Sequence, residues 1–271
     1  MEWEKKLEKL RTFLSSFESA VVAFSGGVDS ATLSAICREV IDDVLSVTFR
    51  SQATPSREVE SAKRVAREIG VEHVFVNVDI LSVRGFVENS ELRCYYCKKF
   101  LMEKLLNFAR ENGYEAVFEG TNADDLRAHR PGYRAVVECG VLSPWVICGA
   151  TKSEIRSIAR SLGFSFHNAP SLACLATRIP FGIRISAEKL EMVDEAENSV
   201  IRISGVKNVR VRFIDGFAVV EVERDEITKV FEKREELREA LTNLGFRDVF
   251  VNPAGYRSGV LVRDLESLLR L

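Results

Sequence analysis

Residues 20–30, AVVAFSGGVDS, constrain this chain more than any other stretch. The apolar residues 21–24 read as a short buried strand. Ser25-Gly26-Gly27 then turns the chain, and Asp29-Ser30 opens a run with Ala31, Leu33, Ile36, Cys37 and Val40 at helical spacing. A strand, a glycine turn and a helix start together aim backbone N–H groups outward at the positive end of a helix dipole, a geometry that holds an anion such as phosphate. Glycine is expected there because a Cβ would block close approach of the ligand. Asp29 would repel a bare phosphate, so its natural partner is a cation, Mg²⁺ bridging phosphate oxygens. The pattern GxxxxGK[ST] is absent, which excludes an ordinary Walker P-loop.

SGGVDS, met between a strand and a helix, resembles the PP-loop of the ATP pyrophosphatases, which cut ATP between its α and β phosphates. Downstream, residues 44–49 and 73–78 read as strands. Thr54-Pro55 starts the helix between them and Gly70 ends it. A helix follows over about 95–111, and a fourth strand at 116–119 ends in GTNADD. Ahead of all these, Trp3, Leu7, Leu10, Leu14 and Phe17 mark an amphipathic helix. This alternation predicts an α/β fold with a doubly wound parallel sheet. Ligands of such sheets sit outside the carboxyl ends of the strands, where residues 25–30, Phe49-Arg50 and 120–125 fall.

Thr151 and Glu154 have capping-box spacing for a helix over 151–162. Beyond Gly163 the periodicity stops, and HNAPSLACLATRIPFG (167–182) reads as a functional loop and linker. A helix over 187–200, strands at 208–213 and 217–222 joined at Asp215-Gly216, a helix over 225–244 and a short strand at 249–252 make a smaller α+β domain. The expected boundaries are 1–168 for the nucleotide domain, 169–185 for the active-site loop and linker, and 186–271 for the C-terminal domain.

The 271 residues carry a net charge of −2, which argues against nucleic acid as the partner. No apolar run approaches the ~20 residues of a membrane span. The charged, amphipathic MEWEKKLEKL is unlike a secretory signal, so a cytoplasmic protein is expected. In that setting the six cysteines are expected to be buried, catalytic or metal-bound rather than disulfide-linked. Cys94 and Cys97 form a CxxC at a helix start, an arrangement that serves redox chemistry, zinc or an iron–sulfur cluster. Cys174 lies in the irregular loop. Cys37, Cys139 and Cys148 read as core residues.

Asp124 and Asp125 read either as a second contribution to Mg²⁺ or as the acidic first turn of a helix. Arg210 and Arg212 alternate with apolar residues and leave one face of a strand, as a phosphate clamp or as its solvated outer face. Arg178 is a similar candidate close to Cys174. His73, His129 and His167 show no ligand spacing.

With these residues in hand, the whole chain resembles the LarE family of ATP-dependent sacrificial sulfur transferases, which act in nickel-pincer-nucleotide cofactor synthesis. SGGVDS, RCYYCKK, GTNADD, RPGYRA, TKSEIRSIARSLG, SLACLATRIPFG, VRVRF and GYRSG carry the resemblance. It implies adenylation of a carboxylate of pyridinium-3,5-biscarboxylic acid mononucleotide, followed by replacement of its oxygen with sulfur. It implies ATP on Ser25, Gly26, Gly27, Asp29 and Ser30, with Phe49, Gly120, Asp124 and Asp125 nearby and Mg²⁺ at Asp29. It also implies substrate phosphate at Arg210 and Arg212, Arg178 in the active loop, and a homo-oligomer. Sacrificial members use one cysteine at the position of Cys174, which becomes dehydroalanine, and lack the CxxC. Having Cys94 and Cys97 as well, this chain resembles the variant that holds a 4Fe–4S cluster on three cysteines. The competing expectations are a tRNA thiolase of the same superfamily and a non-catalytic metal or nucleotide sensor.

Overall fold

The computed structural model describes residues 2–127, 131–170 and 173–256. In chain order the elements are α1 (Glu2–Leu14), β1 (Ser19–Ala23), α2 (Val28–Val40), β2 (Asp43–Arg50), α3 (Ser56–Ile69), β3 (Glu72–Asn77), α4 (Arg84–Val87), α5 (Arg93–Glu111) and β4 (Ala116–Phe118). The short helices α6 (Ala123–Arg127), α7 (Pro131–Cys139) and α8 (Pro144–Cys148) follow, then α9 (Lys152–Ser161) and α10 (Ala187–Ser204). The chain continues through β5 (Val209–Ile214), β6 (Phe217–Val222), α11 (Ile227–Glu232), α12 (Arg234–Asn243) and β7 (Val249–Val251). The single helix expected over 225–244 is interrupted at Lys233, whose backbone (φ −103°, ψ 13°) leaves the helical region. Among the described residues no helix is long and apolar enough to cross a membrane.

The chain divides into two compact units, Met1–Val83 with Leu92–Leu172, and Arg84–Glu91 with Ala173–Leu271. In the first unit the strands pair in parallel in the order β3-β2-β1-β4. Successive side chains of a strand face opposite ways. Val22 therefore joins Leu10, Leu14, Ile36, Ile155 and Ile158 on one face of the sheet, and Val21 joins Leu105, Val117 and Val136 on the other. Helices on both faces make this the doubly wound α/β sheet that the strand–helix alternation predicts. The order reverses at β1, between β2 and β4, so the loops after β1 and β4 meet at a topological switch point, where such sheets bind ligands.

The second unit carries an antiparallel β5–β6 hairpin with β7 parallel to β6. Asp215 (φ 50°) and Gly216 (φ 86°) both sit in the left-handed region that a two-residue hairpin turn needs. Residues 84–91 belong here because the Asn89 side-chain amide donates to the carbonyls of Pro180 (2.6 Å) and Ile183 (2.8 Å). The backbone adds Gly182 N–H to Asn89 O (3.0 Å) and Ile185 N–H to Val87 O (3.0 Å).

Gly26 shows how the first turn is held. It adopts φ +74°, and a Cβ there would lie 2.7 Å from the Ala62 Cα on α3. The constraint on this glycine is thus the packing of α3 as well as backbone sign, and not ligand approach alone. Gly26→Ala is expected to cost roughly 2–4 kcal/mol, from backbone strain plus a clash with helix backbone. Gly70→Ala, with φ +66° and only the Arg38 side chain nearby at 3.4 Å, should cost about 1 kcal/mol. Urea unfolding of the two variants checks the difference, and equal losses would refute it.

Candidate active site

In the first unit α2 starts at Gly27, which caps it without a side-chain hydrogen bond. The first N–H groups of a helix have no intrahelical acceptor, so they face the loop and whatever occupies it. The loop is braced from within. Ser30 Oγ accepts from the Ser25 N–H (3.1 Å) and donates to Gly27 O (3.2 Å), and Ser25 Oγ accepts from the Gly27 N–H (3.2 Å). Gly120, just past β4, lies against this turn: a Cβ on it would stand 3.1 Å from the Ser30 nitrogen. A side chain here would press the two loops of the switch point apart by a few tenths of an ångström. Phe49 is half-buried at the carboxyl end of β2, paired in register with Val76.

Asp29, one residue inside α2, is the electrostatic centre. Burial pushes its carboxyl above the usual range, against the pull of the Lys152 ammonium, which contacts Oδ2. Its other oxygen, Oδ1, is buried, and among the described residues no donor reaches it. A buried carboxylate oxygen without a donor is a poor resting state but a fitting ligand for a cation. The Trp145 indole N–H donates to the Asp29 carbonyl at 3.0 Å, fixing the helix turn that bears it.

Asp124 and Asp125 start α6, but Asn122 is the residue that caps it, its Oδ1 accepting from the N–H groups of Asp124 (3.0 Å) and Asp125 (3.3 Å). Asp124 Oδ2 accepts from the Lys152 N–H at 2.9 Å, which joins the start of α9 to this loop. Lys152, which sequence reasoning did not single out, therefore touches Asp29 with its side chain and Asp124 with its backbone. Its one available signal was its place beside Thr151, whose capping box with Glu154 the structure contains.

Cys94 is exposed and Cys97 half-buried, both on the first turn of α5. Cys174, in the second unit, is half-buried and stands just before a short 3-10 turn, Leu175–Arg178. By contrast Cys37 and Cys148 are buried, burial pushing the Cys37 thiol well up and that of Cys148 to about 11; burial also raises Cys139. Cys139, expected in the core, is half-buried against it, so exposure alone does not single out three cysteines; Cys94, Cys97 and Cys174 carry the thiol donors that an iron–sulfur cluster takes. Among the described residues no three His, Cys, Asp or Glu side chains are gathered as a metal site.

Arg178 is fully buried. Its guanidinium pairs with Glu197 (Nε–Oε1 2.8 Å, Nη2–Oε2 3.2 Å) and donates through Nη1 to the carbonyls of Ala173 and of Cys174 (3.0 Å). It shapes the backbone that carries Cys174. Arg210 and Arg212 are also buried, which overturns the solvated-face reading: the sheet face they share is covered. Arg212 bonds Glu221 (2.9 Å) and the Thr177 carbonyl (2.8 Å), and Arg210 lies over the Tyr256 ring at 5.4 Å. Removing one partner of a buried ion pair leaves an uncompensated charge. Glu197→Leu should therefore destabilise the protein by about 3–5 kcal/mol in denaturant unfolding; a loss below about 1 kcal/mol would show the pair to be dispensable.

His73 donates into local structure, its Nε2 2.8 Å from Thr48 Oγ1, and His167 Nδ1 is 2.8 Å from Phe164 O. His129 lies outside the described residues, as do Arg130, Ser171, Leu172 and residues 257–259 of the motifs quoted above.

Residues 19–92 match the family model of the queuosine biosynthesis protein QueC. The solved structure of NMN synthetase from Francisella tularensis shares the fold, with a TM-score of 0.50 at 18% identity, covering 62% of this chain and 75% of that one. An uncharacterized protein of Synechocystis is 36% identical over 97% of this chain and 98% of its own. The pyridinium-3,5-bisthiocarboxylic acid mononucleotide synthase of Lactiplantibacillus plantarum is 30% identical over 91% of this chain and 90% of its own. With the PP-loop, the switch-point contact and near end-to-end similarity agreeing, this chain belongs to the pyridinium-3,5-bisthiocarboxylic acid mononucleotide synthase (LarE) family of PP-loop enzymes.

Proposed function

We propose that the protein is an ATP-dependent sulfurtransferase that adenylates a carboxylate of pyridinium-3,5-biscarboxylic acid mononucleotide and converts it to a thiocarboxylate. The observation that carries this reading is the loop at residues 25–30, with the buried Oδ1 of Asp29 in it, in a chain similar to a named synthase over nearly its full length. Residues 25–30 bind the ATP phosphates through the α2 N–H groups, and Asp29 holds Mg²⁺ through Oδ1. Lys152 remains beside Oδ2, which keeps an ammonium next to this carboxylate.

In the first step a substrate carboxylate oxygen attacks the α-phosphorus and the bond to the β-phosphate oxygen breaks. Pyrophosphate leaves and an acyl-adenylate remains. The protein contributes positioning and charge stabilisation. In the second step a sulfur nucleophile attacks the acyl carbon, and the C–O bond to AMP breaks. Arg178 keeps the Cys174 loop in shape for that attack, and Arg212 braces the same turn through the Thr177 carbonyl. A 4Fe–4S cluster, held by Cys94, Cys97 and Cys174, would supply sulfide at the iron that no cysteine holds.

The test is anaerobic purification with iron and acid-labile sulfide analysis, followed by incubation with Mg·ATP and the pyridinium mononucleotide. Pyrophosphate release that depends on the mononucleotide, with a thiocarboxylate product by mass, is the expected result. No pyrophosphate would point to a sensor, and product on tRNA alone to a thiolase. Product without iron, accompanied by dehydroalanine at 174, would favour the sacrificial route.

A further inference from the structure

Glu119 and Lys98 are used by none of the steps above, yet they stand between the two functional landmarks of the first unit. Glu119 follows β4 directly and is 2% exposed. Oε1 accepts from Ser143 Oγ (2.5 Å) and the Thr121 N–H (3.0 Å), and Oε2 from Thr121 Oγ1 (2.8 Å) and Lys98 Nζ (2.9 Å). Burial alone would raise this carboxyl, but Lys98 and the hydroxyl donors outweigh it and hold it below the usual range, so it is ionised. The next residue, Gly120, is the one on which a Cβ would stand 3.1 Å from the Ser30 nitrogen in the nucleotide loop.

Lys98 sits on the first turns of α5, one residue after Cys97 and four after Cys94, so Cys94 and Lys98 share a helix face. The rest of α5 is held by Met102, Leu105 and Ala109, buried against apolar neighbours. The first turn is also tied by the buried Arg93 and by Tyr95, whose hydroxyl donates to Glu138 Oε2 on α7 (2.6 Å); Lys98 adds a directional contact from this turn to the residue that precedes Gly120. Gly132 of α7 closes the same turn, where its Cβ position would be 3.5 Å from Cys94 O and 3.7 Å from Lys98 Cβ. Lys98 is itself partly exposed, so the pair contributes little to stability and its value here is directional.

We propose that Lys98 and Glu119 are positioning residues: the ion pair sets the rotation of the α5 first turn relative to the nucleotide loop, and so where Cys94 and Cys97 present their thiols. The effect on catalysis rests on the sulfur-transfer reading above, while the structural effect does not. Lys98→Met keeps the aliphatic stem and removes the charge, and Lys98→Arg restores a cation.

Hydrogen exchange is measured on the amides of residues 96–99, whose bonds close the α5 first turn (Tyr96 N–H to Leu92 O, 3.1 Å), with those of residues 102–109 as the internal reference. In Lys98→Met first-turn exchange should quicken about tenfold with the reference unchanged, and Lys98→Arg should return it towards wild type. In parallel, thiocarboxylate formed per pyrophosphate released should fall about tenfold or more in Lys98→Met at an unchanged pyrophosphate rate, and recover in Lys98→Arg. Unchanged exchange would overturn the proposal, as would exchange quickened along all of α5 or a product ratio that stays at the wild-type value. A wild-type protein that makes no thiocarboxylate would remove the sulfur-transfer reading instead, and the exchange comparison would still decide the role of Lys98.

Discussion

Cys174→Ala is expected to leave pyrophosphate release from Mg·ATP near the wild-type rate while lowering thiocarboxylate formation by roughly a thousandfold or more. Cys94→Ala and Cys97→Ala are expected to do the same. Adenylation draws on the α2 N-terminus and Asp29, none of which involves a thiol, whereas the second step has no sulfur without them. All three variants are expected to fold, which circular dichroism checks. Cys94 is exposed and the other two are half-buried. The backbone at Cys174 is held through its carbonyl, which accepts from the Thr177 N–H (3.0 Å), Thr177 Oγ1 (2.8 Å) and Arg178 Nη1 (3.0 Å), and alanine keeps all three. Quantifying pyrophosphate and thiocarboxylate in the same reaction separates the steps. Loss of product in Cys174→Ala alone would replace the cluster by the sacrificial cysteine, and loss of pyrophosphate in any of the three would place thiols in the first step.

Asp29→Asn should act on the opposite step, lowering pyrophosphate formation by about 10²–10³-fold, the scale of a lost electrostatic contributor at a reacting phosphate. Asparagine has the same shape, but its neutral amide binds Mg²⁺ weakly and cannot balance the Lys152 ammonium. Stability should change little, because the substitution removes a carboxylate whose burial already disfavours its charge together with a partly exposed ion pair. The rate measured across Mg²⁺ concentrations should need more metal and still fall short at saturation. Normal AMP formation by this variant would take Asp29 out of the site.

The nucleotide loop was legible because its backbone shape is set locally, although α3 and Gly120 pack against it. Strand, turn and helix start lie within residues 20–30, as does the serine bracing between Ser25 and Ser30. The Thr151–Glu154 capping box and the Asp215-Gly216 turn are local in the same way, set by side chains within a few residues of the backbone they bend. The alternation of strands with helices sufficed for the doubly wound sheet.

What spans the chain was left to tertiary structure. Lys152 reaches Asp29 across 123 residues, and no pattern in TKSEIR announces that a lysine at a helix start will face a carboxylate from another loop. Period-two alternation reports that Arg210 and Arg212 share a face of β5, but whether that face meets solvent depends on the chain that folds over it, here the turn whose Thr177 carbonyl takes Arg212. Arg178 likewise reads as an active-loop cation until Glu197, on α10, is seen to occupy it. Local sequence determined which backbone shapes form, since those depend on nearest neighbours; which charges end up buried together was decided only by the packing of distant segments, where desolvation makes each partner obligatory.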